Sequence, residues 1–318
     1  MDRNHNGTGG TSLELPSAVL VVDVGPRDGL QNEAHPGTTA DKVRLVNDLA
    51  RAGVRRIEAT SFVSPRAVPQ MADAAEVMAG IERLPGTEYA VLVPNARGLE
   101  RAIDAGADIV NVVVAASETF NRRNVNMSVA DSMAQTAQIV QLAGEAGVRV
   151  TAVLAISFFC PFEGLVPEER VLDLVGQFAD LGIVEITLAD TIGAANPAQV
   201  YRRAVAVGER WPHLETGIHL HDTRGLGLAN ALAALQGGMR RLEASVGGIG
   251  GCPFAPKATG NVCSEDLVYM LESMGVATGI DLGHLIEIAR RIPEIVQHPV
   301  PSRMVAAGPP ATVPAVAG

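Results

Sequence analysis

The feature that most constrains this chain is an eightfold alternation of short apolar segments with longer amphipathic ones. The short segments are rich in β-branched residues and predict strands. They lie at residues 18–24, 55–62, 89–94, 109–116, 148–156, 184–190, 216–222 and 241–247. A stretch with helical periodicity follows each strand, for example at residues 38–53, 196–211 and 264–275.

This alternation predicts a TIM (β/α)8 barrel, which we place at residues 16–300. Several predicted strands are apolar on both faces, as is typical of a parallel sheet covered by helices. A doubly wound open sheet is the alternative, but no G-x-G-x-x-G motif follows the first strand. In a TIM barrel, functional side chains lie at the C-terminal ends of the strands.

Composition narrows the cellular setting and the class of partner. Residues 1–15 and 301–318 are rich in Gly, Pro, Ala and Thr, and we predict that both are disordered. The net charge of −10 argues against a nucleic-acid partner. The N-terminus lacks the apolar core of a signal peptide, no apolar run approaches the roughly 18 residues of a membrane span, and the three cysteines form no disulfide framework. We therefore expect a cytoplasmic protein without a membrane partner.

Two histidines stand out in the stretch GIHLHDTRG, residues 217–225. Alternate residues of a strand point the same way, so His219 and His221 are expected to project from one face. A pair of hydrogen-bonded core histidines is the alternative to a metal site. Other unusual polar residues favour the metal, because they also fall at the C-terminal ends of predicted strands. They are Arg27, Asp28, Gln31, Glu58, Ser61, Thr187, Asp190, Cys252 and Asn261.

Asp28, His219, His221 and the amide oxygen of Asn261 form a candidate ligand set. Such a mixed, oxygen-containing set suits Mg²⁺ or Mn²⁺, with coordination positions left open for substrate. A structural zinc site would use more thiolates. We therefore predict a divalent cation as cofactor and a catalytic site.

Three simpler interpretations stay open. Arg27 and Asp28 are neighbours and could form an ordinary ion pair, and Glu58 could simply neutralise Arg27. Cys252 could be a small buried apolar residue, although its glycine-rich surroundings make burial difficult. The glycines at residues 247–251 are typical of a mobile lid, and a phosphate-binding loop is the alternative.

Five motifs together resemble the 3-hydroxy-3-methylglutaryl-CoA (HMG-CoA) lyase family over essentially the whole barrel, from about residue 18 to residue 290. They are VGPRDGLQNE, IEATSFVSP, ADTIGAANP, HLHDTRGLGLANALAAL and GGIGGCPFAPKATGNVCSEDLVYML. The isopropylmalate and homocitrate synthases share the Arg-Asp and His-x-His motifs but are less similar around GLQNE.

The resemblance implies a role for each candidate residue. The implied metal ligands are Asp28, His219, His221 and Asn261. The implied catalytic residues are Arg27, Glu58, His219 and Cys252. The implied substrate-binding residues are Arg27, Gln31, Ser61 and Thr187.

The implied reaction is a retro-Claisen cleavage of a 3-hydroxyacyl-CoA such as HMG-CoA, by a homodimer, in leucine degradation or ketone body metabolism. Arg27 would stabilise the thioester oxygen, a base near His219 would take the hydroxyl proton, and Cys252 would protonate the enolate carbon. A condensing synthase and a catalytically silent barrel are the alternatives.

The segment TAVLAISFFCPFEG, residues 151–164, departs from the family pattern. Val153, Phe158 and Phe159 stand where better-known lyases are more polar or smaller. We expect these residues to surround the acyl group and to admit a substrate such as citramalyl-CoA or a longer-branched hydroxyglutaryl-CoA.

Overall fold

The computed structural model describes residues 15–251 and 260–310. The barrel strands are β1 (Leu20–Asp23), β2 (Arg56–Ser61), β3 (Glu88–Leu92), β4 (Ile109–Ala115), β5 (Arg149–Ala155), β8 (Glu185–Asp190), β9 (Glu215–Leu220) and β10 (Arg241–Ala244). These eight parallel strands close into a barrel in the order β1-β10-β9-β8-β5-β4-β3-β2, which confirms the predicted TIM barrel. A short antiparallel hairpin, β6 (Phe159–Cys160) and β7 (Gly164–Leu165), follows β5 and was not predicted.

Helices surround the barrel, and several of them begin at a residue whose side chain caps the helix. Thr38 with Asp41, Ser128 with Asp131, and Asn196 with Gln199 form reciprocal capping boxes at three of the helices. The helices are α1 (Thr39–Arg51), α2 (Ala74–Gly80), α3 (Ala96–Asp104), α4 (Glu118–Val125), α5 (Val129–Ala146), α6 (Glu168–Asp180), α7 (Pro197–Arg210), α8 (Gly227–Gln236), α9 (Ser264–Ser273), α10 (Leu282–Val296) and α11 (Arg303–Ala307). Among the described residues, no helix is both long and apolar enough to span a membrane.

Charged side chains close the N-terminal end of the barrel. The Glu185 carboxylate accepts from Nη1 of Arg56 at 2.5 Å and from Nη1 of Arg241 at 2.6 Å. All three residues are buried, so each charge depends on its partners to offset the loss of hydration. The opposite, C-terminal end is therefore the end at which a substrate can enter.

The predicted start of the C-terminal tail at residue 301 is wrong for the residues that the structure describes. Residues 303–307 form α11, and Ser302 and Met304 are buried. The Asp266 carboxylate holds this segment by accepting from the backbone N–H groups of Arg303 at 2.9 Å and Met304 at 2.8 Å. The remaining parts of the predicted tails, residues 1–14 and 311–318, lie outside the described residues.

Candidate active site

Arg27 and Asp28 lie in a tight turn directly after β1. Residues Gly25–Gly29 form one turn of π-helix, in which the Gly29 N–H donates to the carbonyl of Val24, five residues earlier, at 3.2 Å. Short π-helical turns are frequent at functional sites. Here the turn sets the two charged side chains side by side, with Nη1 of Arg27 at 2.7 Å from Oδ1 of Asp28.

A chain of hydrogen bonds across the barrel orients the Arg27 guanidinium. Nε of Arg27 donates to Oε2 of Glu58 at 2.5 Å, Nδ2 of Asn111 donates to Oε1 of Glu58 at 2.7 Å, and Thr151 donates to Asn111 at 2.5 Å. Burial alone would lower the pKa of Arg27, but Glu58 and Asp28 raise it well above its usual value. The guanidinium therefore stays charged and fixed in direction.

Asp28, His219 and His221 form a cluster that could hold a metal ion, with one ligand atom from each residue within 4.8 Å of the others. Burial would raise the pKa of Asp28, but Arg27 and the two imidazoles hold it well below its usual range. Burial and the neighbouring His219 lower the pKa of His221 to about 4. At neutral pH the cluster thus offers a carboxylate and a neutral imidazole, which are the protonation states that bind metals.

Asn261 completes the donor set. Its Nδ2 donates to Oδ2 of Asp28 at 2.9 Å and to the Ile249 carbonyl at 3.0 Å. Its Oδ1 is buried and has no hydrogen-bond partner among the described residues, and the same is true of Nδ1 of His221. Buried polar atoms without partners are rare, and bound ions are one explanation for them. The donors present therefore fit a divalent cation.

Backbone geometry brings Asn261 this close. Gly250 has a φ of 109°, a conformation that favours glycine, and a Cβ there would lie 2.6 Å from Nδ2 of Asn261. The glycines of this segment thus permit the close approach of two backbone segments at the site. Cys252 lies outside the described residues, so its predicted role as proton donor stays a prediction.

Glu243, on β10, is a site residue that was not predicted from the sequence. Its Oε2 lies 3.1 Å from Nδ1 of His219, and its Oε1 accepts from the Thr187 hydroxyl at 2.8 Å. Burial would raise the pKa of Glu243, but the hydrogen bond with His219 lowers it, so the carboxylate is ionised. A charged residue in the middle of a predicted strand was the available signal, as it was for Glu58.

Four other predicted site residues form no hydrogen bond with Arg27, Asp28 or the two histidines among the described residues. Thr187 is 1% exposed and its hydroxyl donates to Glu243, so its predicted substrate contact stays a prediction. Ser61 is fully buried, with its hydroxyl 3.5 Å from the Leu92 carbonyl. Gln31 is half-buried just after the turn that carries Arg27. Asp190 accepts from the N–H groups of Ala194 and Ala195 and shapes the loop after β8.

The residues expected around the acyl group fall in different places. Phe158 is 1% exposed and its ring packs against the guanidinium of Arg203 on α7, at 4.8 Å, so the expectation for Phe158 is wrong. Phe159 lies in the hairpin and is exposed. Val153 is in register with Val113 on β4 and with Thr187 on β8, two residues beyond Thr151 on the same strand. It therefore shares the face of β5 that carries Thr151.

Comparisons with known proteins identify the family of this chain. The profile of the HMGL-like family matches residues 18–292. The hydroxymethylglutaryl-CoA lyase YngG of Bacillus subtilis is 46% identical over 291 residues, covering 92% of this chain and 97% of that protein. A Pseudomonas aeruginosa protein named 3-hydroxy-3-isohexenylglutaryl-CoA/hydroxymethylglutaryl-CoA lyase is 44% identical, covering 88% of this chain and 93% of that protein.

Solved structures extend the agreement to three dimensions. An HMG-CoA lyase from Acinetobacter baumannii, in complex with coenzyme A and 3-methylmalate, superposes with a TM-score of 0.89 at 44% identity, covering 93% of this chain and 96% of that one. The resemblance inferred from the motifs is thus confirmed. With a family profile that spans the barrel and relatives this similar, the chain belongs to the HMGL-like family.

Proposed function

We propose that this protein is a metal-dependent lyase that cleaves HMG-CoA to acetyl-CoA and acetoacetate. The observation that carries the proposal is the cluster of Asp28, His219 and His221 directly beside the charged Arg27 at one end of the barrel. The names of the B. subtilis and P. aeruginosa relatives support the same reaction.

Asp28, His219, His221 and the unpartnered Oδ1 of Asn261 would hold the cation. Two oxygen and two imidazole donors suit Mg²⁺ or Mn²⁺. When bound, such a cation supplies Lewis acidity that lowers the pKa of the substrate hydroxyl.

The chain's own residues then transfer protons and stabilise the negative charge that forms as the bond breaks. A base near His219 takes the proton of the C3 hydroxyl, the C2–C3 bond breaks, and its electron pair moves to C2 to form the acetyl-CoA enolate. Arg27 stabilises the thioester oxygen as that oxygen becomes negative. Among the described residues its contacts with Glu58 and Asp28 use Nε and Nη1, and we assign Nη2 to the substrate. In this proposal Cys252 returns a proton to C2.

Incubation with HMG-CoA and Mg²⁺ or Mn²⁺ tests the reaction. We expect equimolar acetyl-CoA and acetoacetate, measured by chromatography and an enzymatic acetoacetate assay. Condensation of acetyl-CoA with a 2-oxo acid, without HMG-CoA cleavage, would instead identify a synthase. The homodimer and the cytoplasmic location expected above stay predictions, and sedimentation of the purified protein checks the first.

A longer-branched hydroxyglutaryl-CoA is the second candidate substrate, favoured by Val113 and Val153. These two side chains, the valine pair, follow Asn111 and Thr151 by two residues on the same strands, and so lie one layer nearer the C-terminal end of the barrel. Val113 is partly exposed there. An apolar surface at this level suits an apolar branch at C3, and the P. aeruginosa relative carries such a substrate in its name.

We expect a branched analogue, such as isohexenylglutaryl-CoA with a 3-hydroxyl, to be cleaved with a higher kcat/KM than HMG-CoA. Val153→Ser should lower that preference by about tenfold, since apolar contacts discriminate by about 1–3 kcal/mol per methylene. Val184→Ser, at an exposed position preceding β8, is the matched control. A kcat/KM for HMG-CoA that is tenfold or more above the kcat/KM of every branched analogue would contradict this prediction.

A further inference from the structure

Glu243 connects His219 to the interior of the barrel through a continuous set of contacts. One carboxylate oxygen faces Nδ1 of His219 at 3.1 Å, and the other accepts from Thr187. Nη2 of Arg241 in turn donates to the Thr187 hydroxyl at 3.1 Å. These four side chains come from three adjacent strands, β8, β9 and β10, so the barrel itself sets their spacing.

The direction of each hydrogen bond follows from the chemistry of the groups. A guanidinium can only donate, so the Thr187 oxygen accepts from Arg241 and its proton goes to Glu243. An ionised carboxylate can only accept, so Nδ1 of His219 must carry the hydrogen of that contact. The lone pair of a neutral His219 is then on Nε2, the nitrogen 4.0 Å from Oδ2 of Asp28.

We propose that Glu243, supported by Thr187 and Arg241, is a positioning residue that fixes His219 as the Nδ1–H tautomer with the Nε2 lone pair directed at the metal site. Carboxylates that orient a metal-binding imidazole in this way typically strengthen metal affinity. Thr187 thereby acts through Glu243 rather than by touching substrate. The inference rests on the proposed metal-dependent function, because only that function requires a particular tautomer.

Neutralising Arg241 is the simpler role for Glu243, but the contacts do not favour it. Nη1 of Arg241 already donates to Glu185 at 2.6 Å, and its Nη2 donates to Thr187. Glu243 instead directs its two oxygens at His219 and Thr187. A role in charge balance alone would leave the tautomer of His219 unspecified.

Nitrogen-15 NMR of the metal-free protein reads the tautomer directly, provided that the spectra are recorded at a pH above the pKa of His219, which Glu243 and Asp28 raise despite burial. We expect the His219 ring, assigned by the loss of its signals in His219→Gln, to show a protonated Nδ1 and an unprotonated Nε2. In Glu243→Leu, the signals should move toward the Nε2–H form. A predominant Nε2–H form in the unaltered protein would overturn the inference, whatever the protein's activity.

Mn²⁺ affinity of the metal-free protein, followed by the electron paramagnetic resonance signal of free Mn²⁺, is the second readout. Glu243→Leu should weaken binding by about 10–100-fold, whereas Glu243→Asp, which keeps the acceptor, should recover part of it. Glu215→Gln removes an exposed charge from the strand of His219 and is the matched control.

Two further results keep the test decisive. If Glu243→Leu does not fold, as judged by circular dichroism, Thr187→Val replaces it and should weaken Mn²⁺ binding severalfold, with Thr187→Ser restoring it. Folded variants whose Mn²⁺ affinity stays within twofold of the parent would overturn the inference. Normal tautomer and normal Mn²⁺ binding without HMG-CoA cleavage would instead count against the proposed function alone.

Discussion

Chelation of divalent cations is expected to abolish HMG-CoA cleavage by this protein, and added Mg²⁺ or Mn²⁺ is expected to restore it. The reason is that Asp28, His219 and His221 converge on one point, beside a buried Asn261 oxygen without a partner. No cationic side chain but Arg27 lies within hydrogen-bond distance of Asp28 among the described residues. Activity measured with excess EDTA and then with each metal checks the prediction.

His221→Ala should separate metal binding from folding. Nδ1 of His221 makes no hydrogen bond to any described residue, so the substitution leaves no described partner at that atom unsatisfied. We expect much weaker Mn²⁺ binding, a loss of activity and a cooperative thermal transition like that of the parent. His213→Ala, at an exposed position before β9, is the control. Full activity in excess chelator would contradict the metal site.

Arg27→Gln is expected to lower kcat by about 10²–10³ while changing KM little. The guanidinium acts on an oxygen that becomes negative only as the C2–C3 bond breaks, so its loss affects the transition state more than substrate binding. Arg27→Lys should recover little of the rate, because a lysine ammonium does not reproduce the fork that contacts both Glu58 and Asp28. Steady-state kinetics with HMG-CoA measures both variants.

Stability must be measured alongside these kinetics. Arg27 is the cation that Glu58 and Asp28 share, and removing one partner of a buried ion pair typically destabilises a protein by about 3–5 kcal/mol. The rates should therefore be compared at a temperature where every variant is folded. Arg290→Gln, on the surface of α10, serves as the control for a lost arginine. If a folded Arg27→Gln variant kept a near-normal kcat, Arg27 would serve only as the structural ion-pair partner of Glu58 and Asp28.

The barrel could be predicted from the sequence because each strand carries its own local pattern of β-branched, apolar residues. The hairpin at Phe159–Cys160 and Gly164–Leu165 could not, since two-residue strands are too short to show a period. The helix at Arg303–Ala307 was missed for a different reason. Its order depends on Asp266, a residue distant in the chain, and local composition carries no trace of that contact.

Part of the candidate site could likewise be predicted from the sequence, and part of it could not. Arg27, Asp28 and the two histidines were predicted because unusual polar residues at strand ends point to a common rim, and the structure brings them together. Glu243 was missed although it interrupts an apolar strand just as Glu58 does. Phe158 was misplaced because the sequence does not reveal that the chain turns outward after β5 and buries this ring against α7.

Two layers of side chains inside the barrel differ in how freely their residues can change during evolution. Asn111 and Thr151 are tied by directional hydrogen bonds to the groups that orient Arg27, so a substitution at either position disturbs the chemistry. The valine pair one layer above interacts through apolar side chains, where exchanges of similar volume usually cost less than about 1.5 kcal/mol. Substitutions at Val113 and Val153 during evolution can thus change which acyl group is accepted, while the bond that is cleaved stays the same.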